Sequence, residues 1–465
     1  MRIVVLGAGR VGESVAESLV SERNDITVID PDPQRLRWLE ERFDLRGVAG
    51  DGIHPQVMER AGMRDADMLV ACATRDETNL VACKIAHDVF SVPTTVARLR
   101  SSEFAEGDAL LGPAGFAVQH VICPEESIVR YIQKLIDYPE ALQVLEFGKG
   151  SAHLVAVRAQ PNSPLVDCSI AQFRARFPDA PMRVVAIYRQ DAEVACTAQS
   201  RIMPGDEIFL LADRDKLRNV LKVVRGGDKP VRRVMMAGGG NVGSRLARRL
   251  AGQCEVKLIE RSAARCELLA TQLSSDTLVL HGDGTDEELQ ADENVADMDL
   301  FLALTSDDED NILSAMLAKR MGARRVVSLI NRRAYADLIQ GGTIDIAVSP
   351  AQTVIGELLA HVRRGDVVAV HSLRRGAAEA LEGIARGDAK TSRLVGRTID
   401  QVEAALPRGV RVGAIVRGEE PHRQQVLMPA HDLVVETDDH LIIFIPSKRQ
   451  VRDVERMFQV SATFL

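Results

Sequence analysis

The strongest constraint on this chain is that its sequence passes through the same succession of landmarks twice. A glycine-rich turn, an acidic strand end, a Gly-Asp-Gly turn, a polar segment ending in Asn and a helix-starting proline recur in the same order about 230 residues later. Five ordered matches at nearly constant spacing indicate an internal duplication. The paired landmarks are Gly7 and Gly238, Asp30 and Glu260, Asp51 and Asp283, Asn79 and Asn311, and Pro124 and Pro350.

Each half of the sequence has two parts of different texture. The first part alternates apolar runs, such as "IVVLG", "DITVID", "MLVACAT" and "TTVARL", with amphipathic stretches, which predicts βα units and a parallel sheet. The second part has short strands, such as "HLVAVRA" and "HLIIFI", and predicts a small α+β lobe. The predicted fold is therefore α/β, with two Rossmann-like domains (N-lobes) that are each followed by a small α+β C-lobe. The predicted boundaries are 1–135 and 231–362 for the N-lobes and 142–225 and 367–465 for the C-lobes, with a linker over 225–233.

Composition argues against several classes of function. Aromatic residues make up 4% of the 465 residues and the net charge is −8, so binding to nucleic acid is not expected. No apolar run approaches the roughly 18 residues of a membrane span, and the first residues predict a strand rather than a signal peptide. The seven cysteines are odd in number and have no C-x-x-C spacing, which argues against a disulfide scaffold or a zinc site. We therefore expect a cytosolic protein that binds no metal and inserts no segment of its own into lipid.

Both glycine-rich turns have the pattern G-x-G-x-x-G between a predicted strand and a predicted helix. The first glycine allows a sharp bend, the second lets a phosphate approach the backbone, and the third lets the helix pack on the strand. Free N–H groups and a partial positive charge at the helix start favour a pyrophosphate. The alternative is a turn that is kept only for packing. The predicted phosphate-binding residues are Gly7, Gly9, Arg10, Val11 and Gly12 in the first half and Gly238, Gly240, Asn241, Val242 and Gly243 in the second.

An acidic residue ends the strand that follows each turn, Asp30 in the first half and Glu260 in the second. A carboxylate at this position accepts hydrogen bonds from the ribose hydroxyls of adenosine and repels a 2′-phosphate, which favours NAD(H) over NADP(H). Arg261 follows Glu260 directly and could attract a 2′-phosphate, so the preference of the second half stays open.

Further candidate ligand contacts follow other predicted strands, at the edge where ligands of parallel sheets bind. Asp51 and Asp283 stand where an adenine edge would lie, or they are plain turn residues. Thr74 and Thr305 follow an apolar strand at the predicted crevice. Arginines after the next strand are predicted to hold phosphates by forked hydrogen bonds, or to lie in a solvated loop. These arginines are Arg98 and Arg100 in the first half and Arg332 in the second.

The sequence contains no recognisable catalytic set. A dehydrogenase needs a proton donor or acceptor and a substrate pocket beside the nicotinamide. The histidines of the predicted C-lobes have no carboxylate partner at recurring positions, and no G-x-S-x-G motif occurs. A duplicated nucleotide site with a small lobe after each copy fits a ligand sensor that changes shape. The alternatives are an NAD-dependent oxidoreductase of unknown substrate and a scaffold whose glycine turns bind nothing.

Segments along essentially the whole chain resemble one known family. They are similar to the TrkA family, the cytosolic regulatory subunits of bacterial Trk potassium-uptake systems. The resemblance implies tandem RCK units, each with a Rossmann-like N-lobe and a small C-lobe, and the binding of NAD(H) and of ATP or ADP. The segments that carry it are "GAGRVGESVAESL", "VIDPDPQRL", "ATRDETN", "CPEESIVRYIQKLIDYPEALQV", "NRRAYADLI" and "SPAQTVIGELLAHVRRGDVVAVHSLRRGAAEALE".

The resemblance also implies a location and partners. It implies a cytoplasmic subunit without enzymatic activity that docks on the inner face of the membrane through a TrkH-like potassium-translocating subunit. We also expect a homo-oligomer, either a dimer or a tetramer. Four arginines of the segment "HVRRGDVVAVHSLRRG" either contact the membrane subunit or belong to a solvated charged face. They are Arg363, Arg364, Arg374 and Arg375.

Overall fold

The computed structural model describes residues 1–22, 24–101, 104, 108–190, 192–225, 230–332, 335, 343–362, 366–373, 377–418 and 424–460. The four candidate docking arginines, Arg363, Arg364, Arg374 and Arg375, lie outside these residues, as do residues 226–229 of the predicted linker. The chain divides into two compact units. The first consists of Met1–Arg130 with Arg233–Leu358, and the second of Tyr131–Arg232 with Leu359–Leu465.

The first N-lobe is a six-stranded parallel sheet with helices between its strands. Its order is β3-β2-β1-β4-β5-β6, so the direction in which strands are added reverses between β1 and β4. Ile3 of β1 pairs with Ile26 on one side and with Met68 on the other. The strands are β1 (Arg2–Leu6), β2 (Asp25–Asp30), β3 (Arg46–Ala49), β4 (Met68–Ala71), β5 (Thr94–Arg98) and β6 (His120–Ile122). The helices are α1 (Arg10–Ser21), α2 (Pro33–Arg42), α3 (Pro55–Arg60), α4 (Asp76–Phe90), α5 (Asp108–Leu111) and α6 (Pro124–Asp137).

The first C-lobe is a five-stranded antiparallel sheet of order β10-β9-β11-β8-β7. Ser169 and Gln172 form a capping box at the start of its helix α7, which satisfies backbone N–H groups that have no partner within the helix. The strands are β7 (Gln143–Phe147), β8 (Ala152–Arg158), β9 (Met182–Arg189), β10 (Ala192–Val194) and β11 (Glu207–Asp213). The helices are α7 (Ile170–Arg176) and α8 (Arg214–Arg225).

The second N-lobe repeats the first, with the order β14-β13-β12-β15-β16-β17. Its central strand β15 is apolar and buried along its whole length, because helices cover both faces of a parallel sheet. The strands are β12 (Arg233–Ala237), β13 (Glu255–Glu260), β14 (Thr277–His281), β15 (Leu300–Ala303), β16 (Val326–Leu329) and β17 (Ile346–Val348). The helices are α9 (Asn241–Leu250), α10 (Ala263–Gln272), α11 (Glu287–Asp292), α12 (Asp308–Arg320) and α13 (Pro350–Val362).

The second C-lobe repeats the first, with the order β18-β19-β22-β20-β21. Thr398 and Gln401 form the same capping box at the start of α14 that Ser169 and Gln172 form at α7. The strands are β18 (Val367–Leu373), β19 (Ala378–Ile384), β20 (Arg411–Arg417), β21 (Gln425–Leu427) and β22 (His440–Ile445). The helices are α14 (Ile399–Ala405) and α15 (Val451–Glu455).

The predicted fold class is confirmed, because two Rossmann-like parallel sheets alternate with two small antiparallel lobes of matching strand order. The sequence patterns missed the short strand β6, because its three residues are too few to form a visible run. No helix in the described ranges is long and apolar enough to cross a membrane.

Within the first unit, the two N-lobes contact each other through polar and charged side chains. The Ser127 hydroxyl donates to the Glu357 carboxylate at 2.7 Å, and Arg130 pairs with the same carboxylate at 3.0 Å. Arg249 of α9 pairs with Glu126 of α6 at 2.7 Å. The first half of α6, the middle of α13 and the Arg249 side of α9 therefore contribute to the seam between the N-lobes.

Within the second unit, the two C-lobe sheets share one apolar core. The rings of Phe209 and Phe444, one from each lobe, lie 6.4 Å apart between centroids. Phe147 of the first lobe meets His371 of the second edge-on at 4.9 Å, and the Nε2 of His371 donates to the carbonyl oxygen of Glu146 at 3.0 Å. The shared core means that neither small sheet buries its apolar face alone.

The shared core should be sensitive to acid through His371. Burial lowers the pKa of His371 to about 4, from an ordinary value near 6.5. Because the unfolded chain binds a proton at a pH where the folded chain does not, stability is complete above about pH 6.5 and falls as the pH drops towards about 4. We expect His371→Gln to reduce the dependence of the melting temperature on pH between pH 7 and 4.5, as measured by differential scanning calorimetry.

The matched control is His54→Gln, which removes an exposed histidine from the first unit. An equal pH dependence in the two variants would show that His371 does not make the core sensitive to acid.

Candidate nucleotide-binding sites

The first glycine-rich turn joins β1 to α1, and its three glycines stand in different environments. Gly7 has a φ of +101°, which side chains rarely adopt. A Cβ on Gly12 would lie 1.8 Å from the carbonyl oxygen of Gly7, so no larger residue fits there. At Gly9, no described atom beyond its chain neighbours lies within 4 Å of the position of a Cβ. The fold therefore requires Gly7 and Gly12, whereas Gly9 faces open space.

The second turn, between β12 and α9, repeats this arrangement. Gly238 has a φ of +109°. A Cβ on Gly243 would lie 2.0 Å from the carbonyl oxygen of Gly238. Gly240 again has open space where a Cβ would stand, to a distance of 4 Å among the described atoms. In both turns the first and third glycines are therefore required by the fold, and the second faces open space.

The open side of the first turn is the start of α1. Gly9 caps the helix with its carbonyl oxygen, which accepts from the N–H of Glu13 at 2.8 Å, and it has no side chain to occupy the first N–H groups. Arg10 and Val11 begin α1 here, as Asn241 and Val242 begin α9 in the second half. An open groove of about 410 Å³ lies at this point, lined by Ala8, Gly9, Arg10, Glu13, Asp32, Gln34, Arg35 and Trp38. Backbone N–H groups and the helix dipole suit this space to a phosphate group.

The acidic residues at the ends of β2 and β13 hold the turns themselves. Asp30 is buried and accepts from the N–H of Ala8 at 2.6 Å with one oxygen and from that of Asp32 at 2.9 Å with the other. Glu260 does the same, accepting from the N–H groups of Gly239 and Ser262, each at 2.9 Å. A carboxylate has about four acceptor positions, so both residues keep capacity for ribose hydroxyls. Sequence reasoning placed them beside the ribose but missed that they fasten the turn.

Asp51 and Asp283 follow β3 and β14, and their surroundings differ. Asp51 accepts from the N–H of Ile53 at 3.2 Å, as a turn residue does. Asp283 accepts from the N–H and hydroxyl of Thr285 and pairs with Arg261 at 2.5 Å. The bond from the Thr285 N–H is the largest cause that lowers the pKa of Asp283, and Arg261 adds to it. Asp283 is thus closed off by a short ion pair with a guanidinium, whereas Asp51 lies near the side chain of His54, at 3.9 Å.

The loops after β4 and β15 are each held by a buried asparagine. Asn79 accepts from the N–H of Ala73 at 2.8 Å and donates to the carbonyls of Ala73 and Arg98. Asn311 makes the equivalent bonds with Thr305 and the carbonyl of Leu329. The structural counterpart of Thr305 is therefore Ala73, whereas the exposed Thr74 lies one position later. The recurrence of Asn was visible in the sequence, but its role as a clamp was not.

Arg98 and Arg100 lie together at the carboxyl ends of the sheet, and both stand 3.6 Å from one oxygen of Glu125. The Nε atoms of both arginines and the second oxygen of Glu125 are buried, with no hydrogen-bond partner in the described part of the chain. Burial is the main cause that lowers the pKa of Arg98, and the charge of Arg100 adds to it. Asp76 accepts from the N–H groups of Arg100 and Ser101 and so fixes this loop. Two positive charges share one carboxylate, which leaves capacity for an anion.

The corresponding loop of the second half has another composition. Asp308 accepts from the N–H groups of Asn331 and Arg332, at 2.9 and 2.8 Å, as Asp76 does in the first half. Arg332 itself turns to Glu309 and Tyr335, each at 2.8 Å. The loop is held alike in both halves, but the two arginines that share one carboxylate, Arg98 and Arg100, belong to the first half.

Metal binding finds no support in the described ranges, where no three His, Cys, Asp or Glu side chains come close enough to hold an ion. All seven cysteines are free thiols.

Comparison with known domains gives the same division as the sheets. Residues 3–124 and 234–350 match the TrkA-N domain, and residues 154–225 and 389–459 match the TrkA-C domain. The crystal structure of the GsuK RCK domain has this fold, with a TM-score of 0.60 and 16% identity over 98% of this chain and 94% of that one. The GsuK channel bound to NAD also has a TM-score of 0.60, with 17% identity over 98% of this chain and 78% of that one. The chain thus consists of two TrkA-N domains, each followed by a TrkA-C domain, with the fold seen in the GsuK RCK structure.

Full-length relatives identify the family. The chain is 48% identical to the Trk system potassium uptake protein TrkA of Halomonas elongata and 48% identical to that of Vibrio alginolyticus. It is 42% identical to that of Haemophilus influenzae, and all three matches cover 100% of both chains. The chain belongs to the TrkA family of Trk potassium-uptake systems. The prediction that it is not an enzyme is confirmed, because these relatives are named for potassium uptake.

The two kinds of glycine should respond differently to one added methyl group. Gly12→Ala places a Cβ against backbone that has no room to move, and we expect it to destabilise the first N-lobe by about 3 kcal/mol. Gly9→Ala should cost less than about 1 kcal/mol, because its φ of −73° suits any residue and its Cβ meets open space. Trp38 is the single tryptophan and lies on α2 of this lobe, so its fluorescence during urea unfolding measures both variants. Equal loss in the two variants would contradict the packing role of Gly12.

Proposed function

We propose that this chain is the nucleotide-sensing regulatory subunit of a Trk-type potassium-uptake system. It binds NAD(H), and ATP or ADP, at its two glycine turns, and it gates a TrkH-like membrane subunit through rearrangement of its lobes. One observation carries the proposal: in both turns the first and third glycines are required by backbone angle or packing, whereas the second, Gly9 or Gly240, faces open space beside a helix start. A turn kept only for packing has no reason to leave that space free twice.

The two carboxylates at the predicted ribose positions support binding of NAD(H) over NADP(H). Asp30 and Glu260 place a carboxylate at the end of β2 and β13, where it repels a 2′-phosphate. In the sequence, Arg261 left open whether the second half prefers NAD(H) or NADP(H). In the structure its guanidinium pairs with Asp283 at 2.5 Å and with Asp310 at 3.2 Å. A cation with two carboxylate partners attracts a further phosphate weakly. A channel of the same fold is described as bound to NAD, which supports the same ligand class here.

The arginine pair of the first half supports binding of a ligand with phosphate charge beyond the helix start. Arg98 and Arg100 share Glu125, and their Nε atoms are buried without a described partner. An anionic phosphate oxygen would complete these hydrogen bonds by charge-assisted pairing. The candidate contacts Thr74, Thr305, Asp51 and Asp283 lie at the same carboxyl edges of the two sheets. The ligand is held by these groups and no bond in it is broken.

The mechanism that we propose is a shift between arrangements of the lobes. A nucleotide stabilises the arrangement that binds it more tightly, and it shifts the population only by that difference in affinity. The polar seam between the N-lobes suits such a change, because ion pairs such as that of Arg130 with Glu357 are partly exposed and contribute little stability each. The subunit is cytoplasmic, reaches the inner face of the membrane through its partner, and assembles as a dimer or tetramer.

Calorimetric titration with NADH, NAD⁺, ATP and ADP tests the proposal. Gly9→Asp and Gly240→Asp each place a carboxylate in the open space, and each should remove one site and weaken binding there at least about a hundredfold, by repulsion of phosphate. Trp38 lines the groove at the first turn, so its fluorescence should change on binding to the wild type and to Gly240→Asp but not to Gly9→Asp.

The control is Asn162→Asp, which adds a carboxylate at an exposed position of the first C-lobe, away from both glycine turns. It should bind as the wild type does. Absence of heat with all four nucleotides would overturn the proposal, and so would steady turnover of NADH by the purified protein with carbonyl substrates.

A further inference from the structure

We propose that Arg245, on the helix that begins at the second glycine turn, is a positioning residue for the first nucleotide site and couples the two sites. This inference rests on the proposed function, because it concerns the same two turns. It assigns to one side chain the transfer of information between them.

Arg245 reaches from the second N-lobe into the loop that carries the arginine pair of the first. Its Nη2 donates to the carbonyl oxygen of Arg100, and its Nη1 lies 3.5 Å from the Sγ of Cys123. The guanidinium also lies 3.9 Å from Glu126, and one turn further along α9 Arg249 pairs with the same carboxylate at 2.7 Å. The Arg245 side chain is only 19% exposed, so these bonds are shielded from water.

The peptide groups around Arg100 are thereby held from two directions. Asp76 of α4 accepts from the N–H groups of Arg100 and Ser101, and Arg245 donates to the carbonyl oxygen of Arg100. Asp76 belongs to the same lobe as the loop, whereas Arg245 belongs to the other lobe. A displacement of α9 would therefore move the carbonyl of Arg100 relative to Asp76 and change the direction of the Arg100 side chain.

The start of α9 is the natural origin of such a displacement. Asn241 and Val242 begin the helix with N–H groups that have no partner within it, directly after the open position at Gly240. Arg245 follows within the next turn of the same rigid helix. A phosphate that accepts hydrogen bonds from these N–H groups would therefore act on the helix that carries Arg245, and Arg245 donates to the carbonyl oxygen of Arg100 in the first site.

The contacts of Arg245 with Arg100 and Glu126 form a bridge between the N-lobes, and the residues at the equivalent positions of the duplication cannot form a second one. At the positions of Arg245 and Arg249, the first half has Ser14 and Ser18, which are too short to reach across a seam. At the positions of Glu125 and Glu126, the second half has Ala351 and Gln352, which carry no charge. One bridge joins the two sites, and by thermodynamic linkage any coupling through it must act in both directions.

The test measures NADH affinity at the first site from Trp38 fluorescence, in chains with Gly240→Asp and in chains with an intact second site. With the second site blocked, we expect Arg245→Ala to weaken first-site binding roughly tenfold, the effect of losing one charge-assisted hydrogen bond. The intact chain and the Gly240→Asp chain should differ in first-site affinity when Arg245 is present. In chains that carry Arg245→Ala, the first-site affinity should be the same with the second site intact as with Gly240→Asp.

Two further variants separate positioning from folding. Arg248 is an exposed arginine of the same helix and donates to Gln272 of its own lobe. Arg248→Ala should change neither the first-site affinity nor its dependence on the second site. Arg245→Lys keeps the charge that faces Glu126 but loses the fork, and it should weaken binding at an unchanged melting temperature.

Intact binding with the same affinities in Arg245→Ala as in Arg248→Ala would overturn this inference and leave the proposed function standing. A first-site affinity that does not depend on the second site, in the chain with Arg245, would overturn the coupling. Absence of nucleotide binding by the wild type would overturn the proposed function, and this inference with it.

Discussion

Both N-lobes depend on one steric constraint, the contact of a helix with the turn that precedes it. In each copy the third glycine lies so close to the carbonyl of the first that it has no room for a side chain. An added Cβ would lie 1.8 Å from that carbonyl oxygen in the first turn and 2.0 Å from it in the second. This contact fixes the start of α1 and of α9 against the sheet. The open glycine, the acidic strand end and the free N–H groups take their positions from it.

Comparison of the two copies separates what the fold needs from what a function can vary. Buried asparagines at Asn79 and Asn311, and carboxylates at Asp76 and Asp308, hold the loops after equivalent strands in the same way. These bonds satisfy buried backbone groups, whose loss would be costly in either half. Among the described residues, the pair of Arg98 and Arg100, the ion pair of Arg261 and the bridge of Arg245 are each found in one half. These three differences lie at the carboxyl edges of the sheets and at the seam between the N-lobes.

Each compact unit is built from one lobe of each half of the chain. The two C-lobe sheets share an apolar core that contains Phe147, Phe209 and Phe444, whereas the N-lobes meet through ion pairs and hydrogen bonds. Apolar burial is strong and non-directional, and exposed ion pairs are weak. The partly exposed ion pairs of the N-lobe seam are therefore contacts between lobes that a ligand can alter at low cost.

The sequence by itself determined the duplication, the alternation of strands and helices, the small antiparallel lobes and the two glycine turns, because these depend on local periodicity and on residues a few positions apart. The tertiary structure decided how Asp30 and Glu260 fasten their turns, that Thr305 corresponds to Ala73, and that Arg245 reaches the carbonyl of Arg100. Each of these rests on contacts between segments that are distant in the chain. Spacing along a chain does not encode which distant groups meet, and only the packed lobes bring them within hydrogen-bond distance.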